Sequence, residues 1–281
     1  MANDSTRWNA EVYERIGTPM RRWAQAVIAD LELRGDETVL DAGCGSGSVT
    51  FDLLERLPRG RIYAVDSSPE MIEKLSAAVR ERGETRVVPL LADLTDFALP
   101  EPVDCVFSNA VLHWIPDDDA LFACLFRAAK PGGRFRAQCG GAGNIARLMA
   151  ATDAVCAREP FSRYLEGSAE FRKYRAPEQA QEAMARAGWT EVRATLFAAP
   201  VRFGQTPARL GESREDAALY LRTIILQRHV AALPEALRDP FLRAVIEESA
   251  QTGERPLERK HSPPFTADYV RLDLWARRPA A

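Results

Sequence analysis

The stretch Val39-Leu40-Asp41-Ala42-Gly43-Cys44-Gly45-Ser46-Gly47-Ser48 limits the folds open to this chain more than any other. Apolar residues run into an acid, glycine recurs at every second position, and a helix-forming run follows. The pattern predicts strand, tight turn and helix. Glycine lacks the Cβ that would hold a ligand off the main chain, and it takes positive φ readily. The helix after the turn aims free N–H groups and the positive end of its dipole at whatever lies above it. Such a segment is a cradle for a ligand that approaches the backbone closely.

The spacing narrows the ligand. A dinucleotide fingerprint reads G-x-G-x-x-G; here it is G-x-G-x-G, and the third fingerprint position falls on Ser48. A phosphate-binding loop would end in Gly-Lys-Ser/Thr, which is absent. The acid Asp41 just before the first glycine would repel a pyrophosphate and suits a cationic amino-acid ligand. An NAD-linked oxidoreductase stays as an alternative that NADH binding would reveal.

Asp41-Ala42-Gly43-Cys44-Gly45-Ser46-Gly47 resembles the first motif of class I S-adenosylmethionine (SAM) methyltransferases. In that family the glycine turn faces the methionyl part of SAM. The resemblance implies an α/β, Rossmann-like, seven-stranded, mostly parallel sheet with one antiparallel strand, helices on both faces and helical lid insertions.

The rest of the chain fits this frame. Arg61–Asp66 reads as the second strand, ending in an acid about twenty residues beyond the turn, where an α/β nucleotide site places a carboxylate for ribose hydroxyls. Ser68-Pro69 supplies a helix start, which leaves Asp66 for that role. A third strand over 86–91 contains Pro89, an edge-strand signal. The resemblance gives Asp93, within Ala92-Asp93-Leu94, to the adenine amino group. Val103–Asn109 reads as a central fourth strand running into Ala110–Pro116, a segment that in small-molecule methyltransferases lines the acceptor pocket. Asp117–Asp119 starts a helix that Lys130-Pro131-Gly132-Gly133 stops, and a fifth strand follows over 134–139. A helix over 177–187, an extended segment over 189–203 and a final strand over 268–276 complete the core.

Four segments are expected: N-terminal helices over 1–35 covering the cofactor site, a SAM-binding core over 36–203, a helical lid over 204–265, and the last core strand over 266–281. Trp8-Asn9 with Tyr13, the 109–116 segment and the helical insertion resemble the trans-aconitate methyltransferase group. The resemblance implies a cofactor set of Asp41, Gly43, Gly45, Gly47, Asp66, Ser67, Met71, Ala92, Asp93, Leu94 and Asn109. Trp8, Tyr13, His113, Trp114 and Arg222 are the candidates for the acceptor side. His113 is the candidate catalytic group, as base, as donor to an anionic acceptor, or as a packed structural residue. Arg21, Arg22, His229 and His261 have weaker claims.

Composition excludes several other classes. In 281 residues the net charge is −3, which gives no support for nucleic-acid binding. No stretch approaches about 18 uninterrupted apolar residues, so no membrane span is expected. The N-terminus lacks the apolar core of a signal peptide. Five cysteines without a C-x-x-C pair argue against a disulfide framework and a zinc site, and cytoplasmic residence is the default. The expected activity is SAM-dependent methyl transfer to a small organic molecule, at an oxygen, with a carboxylate among the acceptors. A phenolic, quinone-like or nitrogen acceptor using a site base is one alternative. A SAM-binding protein that is non-catalytic or catalyses a non-methyl reaction is another. Oligomeric state is not legible.

Overall fold

The computed structural model describes residues 18–166, 171–203, 214–251 and 265–280. Trp8, Tyr13 and His261 lie outside the described residues. The described chain packs as two compact units. One is built from residues 20–142, 172–197 and 271–280; the other comprises the described parts of 143–171 and 198–270. The segment after the fifth strand therefore groups with the insertion rather than with the 36–203 core.

The first unit holds a seven-stranded sheet. Its strands are β1 (Thr38–Ala42), β2 (Arg61–Asp66), β3 (Val87–Leu91), β4 (Val103–Asn109), β5 (Ala129–Gly140), β6 (Thr190–Ala198) and, last in the chain, β9 (Val270–Arg277). Their order is β3-β2-β1-β4-β5-β9-β6. The pairings from β3 through β5 are parallel, and β5 meets β9 antiparallel. β3 is an edge, as Pro89 requires. β2 is a continuous apolar run, the signature of a strand covered on both faces.

Alternate side chains divide between two cores. Val39, Ile62, Ala64, Cys105 and Phe107 pack with Val27 of helix α1 (Thr18–Ala29), Leu53 of α2 (Ser48–Leu54) and Leu75 of α3 (Pro69–Glu81). Leu40, Tyr63, Val106 and Phe135 pack with Phe122 of α4 (Asp118–Ala128). Across a parallel sheet this alternation follows from the period-two direction of Cβ atoms. Helix starts agree with the sequence: the Ser68 hydroxyl accepts from the Met71 N–H, and the Asp117 carboxylate accepts from the Ala120 N–H.

The fifth strand differs from the expected 134–139. It begins at Ala129, which pairs with Val103, and the register then shifts so that Cys105 faces Arg134. The Pro-Gly-Gly segment is thus an irregularity inside the strand rather than a stop ahead of it. Gly132 takes a φ of 77° and its N–H donates to the Arg278 carbonyl, while Arg278 N–H donates to Gly133.

The second unit is mainly helical: α5 (Ala146–Cys156), α6 (Ser162–Leu165), α8 (Arg214–Tyr220), a π-helical turn (Leu221–Ile225), α9 (Gln227–Ala232) and α10 (Glu235–Gln251). The expected extended segment over 189–203 breaks at Ala199-Pro200. Its second part, β7 (Val201–Phe203), pairs antiparallel with β8 (Phe265–Ala267), so the insertion springs from a two-stranded ladder. Phe241 packs edge-on against Phe161 and stacks on the buried His229. The Tyr220 and Tyr269 hydroxyls hydrogen-bond at 2.7 Å. The remaining helix, α7 (Pro177–Arg186), belongs to the sheet unit, where its Met184 joins the Phe122 core.

Candidate active site

The turn after β1 uses its three glycines for two different reasons. Gly43, Gly45 and Gly47 take φ values of 85°, 54° and 92°. A Cβ on Gly43 would fall 2.3 Å from Val111, and one on Gly47 would fall 2.4 Å from Leu75. These two let neighbouring segments close in. A Cβ on Gly45 would meet nothing within 4 Å, so of the three turn glycines only this one opens onto free space.

Asp66 stands at the end of β2 beside this opening. Its Oδ2 accepts from the Gly45 N–H and its Oδ1 from the Ser68 N–H, both at 2.9 Å. Two main-chain donors fix the carboxylate plane, and each oxygen keeps a lone pair for a further donor. Ser67 follows on the strand-to-helix connection and is exposed, and Met71, in the first turn of α3, is half-buried.

Asp93 lies past the end of β3. Its Oδ1 accepts from both the N–H and the hydroxyl of Thr95, and these bonds hold its carboxyl below the usual range. Ala92 is half-buried and its N–H donates to the Asp66 carbonyl; Leu94 is buried in the core. Asn109, at the end of β4, carries a buried Oδ1 with no hydrogen-bond partner among the described residues, a strong acceptor left for another donor. The next residue, Ala110, takes a φ of 62°, an uncommon conformation for a non-glycine residue at the same end of the sheet.

Asp41 departs from expectation. It is only 2% exposed, and its carboxyl accepts from the Thr50 hydroxyl of α2 at 2.7 Å. Burial, offset in part by Thr50 and reinforced by the nearby Asp66 charge, pushes its carboxyl up to about 7. The residue faces the protein interior beneath the turn rather than open space. A folded pKa raised above the unfolded one means that the unfolded chain ionises first, so stability falls as pH rises from about 4 to 7 and is then level. Asp41→Asn keeps the acceptor for Thr50 and removes this penalty. It is expected to raise the melting temperature at pH 8 by more than at pH 5, a difference of order 2 kcal/mol; an equal shift at both pH values in scanning calorimetry contradicts the assignment.

His113 sits in a short 3-10 turn (Leu112–Trp114) and is buried. The Gly140 N–H donates to its Nδ1 at 3.4 Å, which leaves the ring proton on Nε2. Burial first, then the charges of Arg271, Arg172 and Arg175, push the imidazolium down to about 3. The ring is therefore neutral at pH 7, a feeble base and a competent donor. The base role is the one that this environment disfavours. Trp114 beside it is 40% exposed, with the Arg172 guanidinium 5.0 Å from its ring centroid.

The turn is held by a residue that sequence reasoning did not single out. Arg175 is 1% exposed and donates to the Leu112 and Ile115 carbonyls at 2.8 Å each and to Asp118. Thr50 was equally silent in the sequence, and Val111 was legible only as part of the 110–116 segment, because each acquires its role from the residue it meets. Of the weaker candidates, Arg21 makes a two-pronged pair with Asp52 that ties α1 to α2, and Arg22 is exposed. Arg222 lies in the π-helical turn of the helical unit and pairs with Asp239. Among the described residues there is no cluster of three His, Cys, Asp or Glu that would hold a metal ion, and no helix is long and apolar enough to cross a membrane.

Glycine turn, acid-ended strands and the strand order with one antiparallel neighbour together define the class I methyltransferase fold. Residues 39–133 match the family described as a methyltransferase domain, and that range contains Gly43, Gly45, Asp66, Asp93, Asn109 and His113. Among curated proteins, trans-aconitate 2-methyltransferase of Azoarcus sp. (strain BH72) is 37% identical over 126 residues, 45% of this chain and 48% of that protein. The chain thus matches about half the length of this curated relative. Among solved structures, YcgJ from Bacillus subtilis aligns with a TM-score of 0.60 at 15% identity, over 92% of this chain and 99% of that one. Haemonchus contortus phosphoethanolamine N-methyltransferase 2, in complex with phosphomonomethylethanolamine and S-adenosylhomocysteine, aligns at 0.58 and 17% identity, over 92% and 53%.

Proposed function

We propose that this chain is a SAM-dependent methyltransferase acting on a small organic molecule, at an oxygen, and that a carboxylate is the acceptor group. The observation that carries the cofactor reading is the Asp66 carboxylate, fixed by Gly45 and Ser68 next to the one glycine of the turn that opens onto free space. Its two oxygens suit the two vicinal hydroxyls of a ribose. The orphaned Asn109 Oδ1 is an acceptor for the ammonium of a methionyl group. Asp93 is the candidate for the adenine amino group. When bound, SAM supplies a methyl group already activated by a sulfonium.

The protein's part is then to bind, orient and exclude water. A carboxylate acceptor is a nucleophile at neutral pH and needs no base, which agrees with a His113 held neutral and weakly basic. A phenol or amine acceptor would draw on a base, and His113 is badly poised for that. The curated relative's name, trans-aconitate 2-methyltransferase, supports the same acceptor class. The test is methyl transfer from labelled SAM to a panel of small carboxylates, phenols and amines. Base-hydrolysable label appearing with carboxylates alone is the expected result; label on amines or phenols alone overturns the acceptor assignment.

A further inference from the structure

We propose that the open sheet face between the end of α1 and the edge strand β6 docks a second copy of this chain, forming a two-fold dimer. The face belongs wholly to the sheet unit, and the proposal does not depend on the methyl acceptor.

Strand alternation builds this face. Leu272, Leu274 and Ala276 of β9, with Val192, Ala194 and Leu196 of β6, pack into the Phe122 core. Asp273, Trp275 and Arg277, with Arg193, Thr195 and Phe197, therefore point the other way. On that side Val27 and Ile28 of α1 cover Val39 and Phe107, and the helix stops at Ala29. Past its end lies a depression of about 350 Å³ lined by Asp30, Glu32, Arg136, Arg193, Asp273 and Trp275. Arg193, Thr195 and Phe197 remain exposed, Phe197 at 37%.

The floor of the depression is already satisfied. The buried Arg136 donates to Asp30 at 2.7 Å and to Asp273 at 3.2 Å, and Asp273 also accepts from Gln138 at 2.9 Å. A small ion would have to break these pairs to bind. Above the floor stands an aromatic ring dressed with arginine: the Arg193 guanidinium lies 4.6 Å and that of Arg277 5.4 Å from the Trp275 ring centroid. Trp, Phe and Arg are the side chains enriched where proteins meet one another.

Charge selects the occupant. The acids stand on the β5 side: Asp30 is held by Arg136, and the Glu32 carbonyl accepts from Arg134 at 3.1 Å. Arg193 stands on the β6 side. β9 lies between β5 and β6, so the two rims are about 10 Å or more apart. Neither Glu32 nor Arg193 makes an ion pair among the described residues. A partner of one sign would match one rim and oppose the other. A face that is acidic along one rim and basic along the other is complementary to itself. A two-fold axis parallel to the strands, midway between two copies, sets Glu32 of each over Arg193 of the other and brings the two Trp275 residues close to the axis.

Sedimentation equilibrium of the full chain tests this with wild type, Arg193→Glu, Glu32→Arg and an equimolar mixture of the two variants; circular dichroism checks that each is folded. Wild type is expected at twice the monomer mass at about 50 µM. Each reversal alone places two like-charged pairs in the interface and should raise the dissociation constant roughly 100-fold. The mixture should recover the dimer, because the two reversed residues then face each other and the other pair is native. Wild type that is monomeric at about 50 µM overturns the proposal and leaves the face to a different molecule. Dimers that survive both single reversals, or variants that stay monomeric when mixed, overturn it too, the first by putting the contact elsewhere and the second by removing the reciprocal pairing.

Discussion

Asp66→Ala is expected to weaken SAM binding by about 1.5–3 kcal/mol, roughly 10- to 150-fold. The carboxylate is held in place by the Gly45 and Ser68 N–H groups, so its oxygens meet a ribose already oriented. Alanine removes both acceptors and also frees the Gly45 N–H, loosening the turn that lines the site. Asp66→Asn should lose less, because one carbonyl acceptor remains. Calorimetric titration of each variant checks this, and unchanged affinity in Asp66→Ala would remove the ribose assignment.

Arg175→Met should be the most damaging single change to the fold near the site. The buried guanidinium satisfies the Leu112 and Ile115 carbonyls and the Asp118 carboxylate, while methionine fills similar space and donates nothing. Removing one partner of a buried charged pair costs about 3–5 kcal/mol. Lys173, 2.9 Å from Asp118, limits the damage without reaching the lost carbonyl bonds. A fall of roughly 6–15 °C in melting temperature is expected; a fall under about 2 °C contradicts the clamp. Burial works to raise the Asp118 carboxyl, but Arg175 and Lys173 outweigh it and hold the carboxyl below its ordinary value. The contribution of this cluster is therefore present above about pH 4 and lost as pH falls below it.

Much of the fold was legible because the signals are local. β1, β2 and β4 stand where their apolar runs place them, Pro89 marks an edge, and the Ser68 and Asp117 caps start the helices they precede. The fifth strand was cut short because Pro-Gly-Gly reads as a stop, whereas Arg278, far along the chain, holds that segment within the strand. The site was legible in its residues and not in their states. Asp41 lies on the face of β1 that meets α2, and only the rotation of that helix brings Thr50 to it. His113 was visible as a titratable group, but its neutrality is set by burial and by three arginines distant in sequence. Residue type is local; protonation depends on what the fold gathers around it.

The central claim is that the glycine turn and Asp66 hold SAM. Isothermal titration of the purified protein with SAM, S-adenosylhomocysteine and NADH tests it most directly. Saturable binding of the first two with no heat from NADH is the predicted result. Binding of NADH alone, or of none of the three, would contradict it.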